Sequence, residues 1–180
     1  MRNKKVLFLA QAAIIAALYV AFSWVSQAFG LASGQIQVRI SEAFCVLAFF
    51  SPAAIPGLTL GCLIFNLSSG CILPDVICGS IATLVGALAT YFLAKLLLKN
   101  KNAFGKDGFS LKDLCLEFTC AFPTVIANAI IVPFVLPLYG VEDAYWFMFL
   151  TVGAGELIAC EIIGLILYHA ILPFKNKIFQ

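Results

Sequence analysis

The chain has 180 residues, of which 63% are hydrophobic and only 11% are charged, with a formal net charge of +2 and a mean hydropathy of +1.05. This composition excludes a soluble globular domain, which needs a charged surface to stay dispersed. Several stretches of roughly 20 residues carry almost no charge, which is the length an α-helix needs to cross about 30 Å of hydrocarbon. We therefore expect an all-α integral membrane protein that forms one domain over residues 1–180.

Apolar stretches separated by glycine, proline and charged residues predict a bundle of six transmembrane helices. The predicted spans cover residues 6–28, 37–51, 53–69, 75–98, 113–137 and 147–172. The first is too long for the apolar core of a signal peptide, so we expect it to remain as a helix. The second and third are short and meet at Ser51-Pro52, where irregular backbone must be covered by protein or face a wet cavity.

Basic residues predict the orientation of the bundle. Ten of the eleven fall on one side of a six-span arrangement: Arg2, Lys4, Lys5, Lys95, Lys99, Lys101, Lys106, Lys112, Lys175 and Lys177. Because Lys and Arg concentrate in cytoplasmic loops, both termini are expected on the cytoplasmic side of the membrane.

Span one carries alanines at helical spacing on two faces. Ala10, Ala13, Ala17, Ala21 and Ala28 share one face, and Ala12 and Ala16 lie on another. Small residues four apart allow helices to approach closely. One face could pack inside the bundle and the other against a partner, and spacing alone does not decide which.

Scarce polar residues gather near the predicted outer ends of spans two, three and four. They are Gln35, Gln37, Arg39, Glu42, Asn66 and Asp75. Arg39 and Glu42 are three residues apart and could neutralise one another on a helix end. Asp75 follows Pro74, where it could cap a helix, bind a ligand, or do both.

Spans five and six each place one polar residue in the membrane. Asn128 lies nine residues before Pro137 and Glu156 nine residues after Phe147. At about 1.5 Å per residue, both are expected roughly 13 Å below the outer surface. An ionisable group at such depth is costly unless it faces a partner or water, so Glu156 is a candidate binding residue.

Aromatic residues lie at the same outer end, among them Trp24 and Trp146. They could stack on a planar ligand or belong to the aromatic belt at the membrane interface. The sequence contains no phosphate-binding loop, no zinc-protease motif and no Cys/His metal spacing. We therefore expect no enzyme activity, no ATPase motif, no metal and no cofactor in this chain, and energy supplied by partners.

The sequence resembles the substrate-binding membrane subunits (S components) of energy-coupling factor (ECF) transporters, and among these the queuosine-precursor group, QueT. The likeness covers nearly the whole chain. It is carried by residues 12–20 (AAIIAALYV), residues 35–43 (QIQVRISEA), Pro74-Asp75, Gly79, Thr83-Leu84, Asn128, Pro133 and Gly155-Glu156. The most specific part is residues 35–43.

The resemblance implies a six-helix S component of an ABC importer in the cytoplasmic (inner) membrane of a bacterium. Alanines of its first helix would contact a coupling subunit driven by two cytoplasmic ATPases that use ATP. Ala13 and Ala17 match the A-x-x-x-A pattern, with Ala12 and Ala16 as the alternative register. The implied ligand is a 7-deazaguanine taken up from outside, and no nucleic acid is expected to bind.

The chemistry of such a ligand suits Glu156, whose carboxylate can accept its paired N–H donors, and Asn128, whose amide can satisfy its carbonyl. An aminomethyl group on the ligand would favour a second carboxylate, Glu42 or Asp75. Two alternatives remain: an S component for another vitamin or heterocyclic solute, and a small intramembrane enzyme or scaffold.

Overall fold

The computed structural model describes residues 3–31, 38–98, 111–140 and 143–179, and every regular element in these ranges is helical, which confirms the all-α prediction. The α-helices are α1 (Lys4–Ala28), α2 (Ala54–Ser68), α3 (Leu73–Leu97), α4 (Leu111–Ile131), α5 (Tyr145–Glu156), α6 (Gly164–Ile171) and α7 (Lys175–Phe179). A 3-10 helix, Ile40–Phe49, precedes α2, and a π-helical segment, Leu157–Ile163, joins α5 to α6. Shorter 3-10 turns are Val132–Phe134, Leu136–Tyr139 and Leu172–Phe174.

Four helical stretches are long and apolar enough to cross a bilayer, namely Lys4–Ala28, Leu73–Leu97, Leu111–Phe134 and Tyr145–Phe179. The 3-10 helix and α2 are apolar but shorter. At about 2.0 Å per residue for a 3-10 helix and 1.5 Å for an α-helix, each rises roughly 20 Å, less than the hydrocarbon thickness. The chain is a multi-pass membrane protein. That it crosses the membrane six times and has both termini in the cytoplasm stays a prediction.

The 3-10 helix lies at the centre of the bundle. Residues 41 to 48 are all buried, and the helix packs against α1, α3, the π-helical segment and α6. The chain turns after it at Ser51-Pro52, where Ser51 Oγ lies 3.0 Å from Gln11 Oε1 and accepts a hydrogen bond from the Ala53 amide at 3.2 Å. Ser51 is buried at this turn and contacts α1, whereas Pro52 is exposed, so α1 covers only part of the irregular backbone.

Close packing of α1 on α2 distinguishes the two alanine faces. A Cβ atom at Gly57 would lie 2.8 Å from the carbonyl oxygen of Ala12, and one at Gly61 would lie 3.0 Å from that of Ala16. Ala12 and Ala16 are accordingly buried. The other face, which contains Ala13 and Ala17, is exposed along α1.

Candidate functional site

Glu42 is a buried carboxylate at the start of the central 3-10 helix, and its side chain is only 1% exposed. Its Oε1 accepts a hydrogen bond from the Tyr19 hydroxyl, and it shares the Thr83 hydroxyl, at 3.4 Å, with the Gly79 carbonyl oxygen, at 3.1 Å. Tyr19 follows Ala12 and Ala16 on the inward face of α1, whereas Thr83 comes from α3. Two neighbouring helices therefore hold Glu42 in place.

Glu156 approaches Glu42 from the last part of the chain. It ends α5 immediately before the π-helical segment, and its side chain is buried. Cys160 Sγ lies 3.5 Å from Glu156 Oε2 and 3.5 Å from the backbone carbonyl oxygen of Glu42. Side-chain ligand atoms of Glu42, Glu156 and Cys160 lie within 4.8 Å of one another. π-helical turns often occur at functional sites, and this one supports two of the three groups.

Such a trio is close enough to share a metal ion, but its surroundings suit one poorly. Tyr19 and Thr83 already donate to Glu42 Oε1. The positive charge of Arg39 also interacts with both carboxylates. These contacts engage one oxygen of Glu42, and the absence of a metal stays a prediction.

Arg39 is the N-cap residue of the 3-10 helix and is buried, with 8% of its surface exposed. Its charge interacts with Glu42 and also with Asp75 on α3. Its Nε has no hydrogen-bond partner among the described residues. Arg39 therefore interacts with more than one carboxylate, and its neutralisation of Glu42 stays a prediction.

Asn66 on α2 is completely buried. Its Nδ2 lies 3.5 Å from Cys62 Sγ, and its Oδ1 has no partner within the part of the chain that the structure describes. Gly79 on α3 makes room for it, because a Cβ there would lie 2.9 Å from Asn66 Nδ2 and 3.7 Å from Asp75 Oδ1. Asn66 and Asp75 therefore face the same place between α2 and α3.

Asp75 is buried in the first turn of α3, but the capping interpretation is wrong. The N-cap residue is Ile72, which makes no side-chain capping bond. The Tyr139 hydroxyl instead donates to Asp75 Oδ2 at 2.8 Å and accepts from the Ile72 amide at 3.1 Å. Burial, followed by the hydrogen bond to Asp75, raises the pKa of Tyr139, so it remains a neutral donor at physiological pH.

Asn128 is buried on α4, where its Nδ2 donates to the carbonyl oxygen of Thr124 at 3.2 Å. Helix α5 packs against α4, and a Cβ added at Gly153 would lie in ordinary contact with Ala129 Cβ, at 3.5 Å. Asn128 and Glu156 thus lie on packed helices. Their joint contact with a ligand stays a prediction.

The remaining predicted site residues lie elsewhere. Trp24 and Trp146 are 44% and 71% exposed, and the structure does not bring either ring to the buried carboxylates. Trp24 packs edge-on against Phe65 instead. Both positions fit the aromatic belt that the sequence left as an alternative. Gln35 and Gln37 fall outside the described residues.

Five buried residues thus form what we call the polar cluster: Arg39, Glu42, Asn66, Asp75 and Glu156. Sequence reasoning did not identify Tyr19, Thr83, Cys160 or Tyr139, which support it. Tyr19 had a usable signal, because it is a polar-tipped side chain three residues after Ala16 on the small-residue face. Another pair, the partly exposed His169 Nε2 and the buried Glu117 Oε2 at 3.1 Å, joins α6 to α4.

Comparison with known proteins identifies the family. The model of the QueT transporter family matches residues 9–173. The queuosine precursor transporter QueT of Lactococcus lactis subsp. cremoris is 38% identical over 85 residues, which are 47% of this chain and 50% of that protein. The alignment therefore spans about half the length of this relative, and no solved structure matches the chain with significant similarity. Because the family match extends over most of its length, the chain belongs to the QueT transporter family.

Proposed function

We propose that this chain is the substrate-binding S component of an ECF-type importer and captures a queuosine precursor, a 7-deazaguanine, from outside the cell. Family membership and the name of the Lactococcus relative support the cargo. The observation that carries the proposal is the polar cluster, which gathers three carboxylates and a guanidinium inside an apolar bundle. Burying such groups is costly, and function is the usual reason for it.

The chemistry of a deazaguanine complements this cluster. The ligand presents N–H donors and a carbonyl acceptor on a small planar ring. Glu42 and Glu156 can accept hydrogen bonds from the ligand's N–H groups, and the Arg39 guanidinium can donate to its carbonyl oxygen. Charge-assisted hydrogen bonds of this kind are about twice as strong as neutral ones.

Glu156→Gln is expected to weaken ligand binding by about 1–3 kcal/mol, because it removes a charged acceptor from a buried site. The measurement is isothermal titration of the purified chain in detergent with a panel of deazaguanines and other heterocyclic solutes. Glu161→Gln is the matched control, since Glu161 is equally buried and neither carboxylate oxygen has a hydrogen-bond partner among the described residues. Unchanged affinity would remove Glu156 from the site, and binding of a different heterocycle with no response to deazaguanines would refute the proposed cargo.

Six crossings with both termini in the cytoplasm complete the proposal. Lys4 and Lys5 begin α1, Lys95 lies in the last turn of α3, and Lys175 and Lys177 lie in α7. These ends share one side if the 3-10 helix and α2 together cross and return. The concentration of basic residues on that side supports a cytoplasmic assignment.

The exposed face of α1 supports a contact with a coupling subunit, which two cytoplasmic ATPases would drive. Ala13 and Ala17 are exposed, whereas Ala12 and Ala16 are buried against α2. Ala13 and Ala17 are therefore the pair that a partner helix can reach. Small side chains there would allow close approach within the membrane.

Leucine at both Ala13 and Ala17 is expected to weaken association with the coupling subunit about tenfold or more, because added bulk separates closely packed helices. Copurification of the coupling subunit and ATPases with the tagged chain measures this loss. Ala28→Leu adds bulk on the same face at the far end of α1 and serves as the control. Full recovery of the complex with the double variant would exclude this face as the docking site.

A further inference from the structure

The first turns of α1 extend beyond the start of α2. A Cβ at Gly57 would approach the carbonyl oxygen of Ala12, and one at Gly61 would approach that of Ala16. The two helices therefore run in the same direction, and the start of α2 lies near the level of Leu9. The part of α1 before this level is not covered by α2.

A groove of about 410 Å³ lies along this uncovered part of α1. It is lined by two basic and two apolar side chains, all of them exposed, namely Lys4, Lys5, Phe8 and Leu9. Its volume falls in the range of roughly 300–1,000 Å³ that is typical of sites for small ligands. A ligand that complements this lining must combine negative charge with an apolar body.

The groove is distinct from the outward alanine face of α1. Lys5 lies seven residues and Phe8 four residues before Ala12, and these spacings keep side chains on one face of a helix. The groove therefore continues the inward face toward the N-terminus. Ala13 and Ala17, the proposed contact with the coupling subunit, are on the other face and stay accessible when the groove is filled.

The C-terminal helix α7 adds positive charge beside α1. Gln11 Nε2 donates a hydrogen bond to the carbonyl oxygen of Ile178 at 3.0 Å, which holds α7 next to α1. Lys175 and Lys177 belong to α7, and neither helix contains an acidic residue. Phe174 and Ile178, four residues apart, are both exposed. Lysines beside exposed apolar side chains are typical of helices that lie at a membrane surface.

An anionic phospholipid has both of the parts that the groove requires. Its phosphate oxygens accept charge-assisted hydrogen bonds from lysine ammonium groups, and its acyl chains pack on apolar side chains. A soluble anion would use Lys4 and Lys5 but would leave Phe8 and Leu9 in contact with water. The combination of charge with exposed apolar surface therefore favours a lipid over a free phosphate.

We propose that the groove at the start of α1 binds one anionic phospholipid, with the phosphate at Lys4 and Lys5 and an acyl chain along Phe8 and Leu9. The lysines of α7 strengthen the attraction, since each basic residue near a membrane surface favours anionic lipid. The bound lipid covers the side of α1 that α2 leaves open. This role is independent of what the polar cluster carries.

The test titrates the full chain, purified in a zwitterionic detergent, with dioleoyl phosphatidylglycerol and with dioleoyl phosphatidylcholine. Native mass spectrometry measures the bound lipid. We expect the anionic lipid to bind about tenfold or more tightly than the zwitterionic one, and glycerol phosphate, which lacks acyl chains, to bind about tenfold or more weakly than the anionic lipid. Equal affinity for the two lipids would overturn the inference. Glycerol phosphate that binds as tightly as the anionic lipid would show a site for a free phosphate and would overturn it as well.

Lysine variants locate the charge that selects the lipid. Lys4→Gln with Lys5→Gln should abolish the preference for the anionic lipid. Lys95→Gln with Lys112→Gln is the matched control, because it removes the same charge from α3 and α4. This control should keep the preference within about twofold. Equal loss of preference in the two double variants would show a general effect of net charge and would overturn the site.

A third double variant tests the apolar half of the groove. Phe8→Ala with Leu9→Ala should weaken the anionic lipid about tenfold, because the acyl chain loses the surface on which it packs. Unchanged lipid affinity would exclude the groove. Titration with a deazaguanine should give the parent affinity in every one of these variants, since none of their residues belongs to the polar cluster. That measurement also shows that the variants fold, so failure of the lipid experiments would leave the proposed function standing.

Discussion

Gly61→Ala is expected to lower the free energy of unfolding by about 1–3 kcal/mol and to impair ligand binding. A Cβ at this position would lie 2.7 Å from Tyr19 Cβ and 3.0 Å from the Ala16 carbonyl oxygen. Neither atom can rotate away, so α1 and α2 must separate. Because Tyr19 holds Glu42, the displacement reaches the polar cluster.

Gly153→Ala is the matched control for this experiment. Its Cβ would meet Ala129 Cβ at 3.5 Å, which is an ordinary contact. Alanine should therefore be neutral there, or stabilise α5 by about 0.5–1 kcal/mol through its better helix propensity. Denaturant or thermal unfolding in the same detergent compares the two variants, and equal stability of Gly61→Ala and the parent chain would refute close packing at Gly61.

Glu42→Ala is expected to abolish ligand binding and to destabilise the fold. It leaves the Tyr19 hydroxyl without its buried acceptor, at a cost of about 1–3 kcal/mol, whereas the Thr83 hydroxyl keeps its hydrogen bond to the Gly79 carbonyl oxygen at 3.1 Å. It also removes negative charge from the surroundings of Arg39. The midpoint of thermal unfolding and the titration of ligand should both report the change.

Two further variants separate the loss of hydrogen bonds from the loss of charge in Glu42→Ala. Glu42→Gln retains an oxygen acceptor for Tyr19, so it should recover much of the stability while binding stays weak. Tyr19→Phe removes one donor and leaves the carboxylate, so its effect on unfolding should be smaller than that of Glu42→Ala. Wild-type stability of Glu42→Ala would show that the hydrogen bonds to this carboxylate contribute little.

Composition and hydropathy were sufficient to predict an all-helical membrane protein, because lipid leaves the backbone few alternatives. They could not predict the 3-10 and π-helical segments, whose apolar residues are compatible with an α-helix as well. Tertiary contacts determine which type of helix these two segments form. A Cβ at Gly164, just after the π-helical segment, would lie 3.1 Å from Val46 Cγ1 and 3.2 Å from the Ala43 carbonyl oxygen, which shows how closely α6 approaches the central helix.

Charged site residues could be predicted from the sequence because charge is unusual in an apolar segment. This reasoning identified Glu42, Asp75 and Glu156, whose carboxylates the structure buries. It did not identify Thr83 or Cys160, because hydroxyls and thiols are common in membrane helices and stand out only when their partners are known. It also kept a capping role for Asp75 as one alternative, because Tyr139, which donates a hydrogen bond to Asp75, is 64 residues away in the sequence.

The two faces of α1 carry separate tasks. The inward face supplies Tyr19, which holds Glu42, and Ser23, which bonds to Ser41 at 2.7 Å, while Ala13 and Ala17 point away from the bundle. Substitutions on one side therefore need not disturb the other. If the outward face docks on the proposed coupling subunit, relatives should diverge in what they carry while keeping their outward residues, and an exchange of the outward residues alone should change the partner but not the ligand.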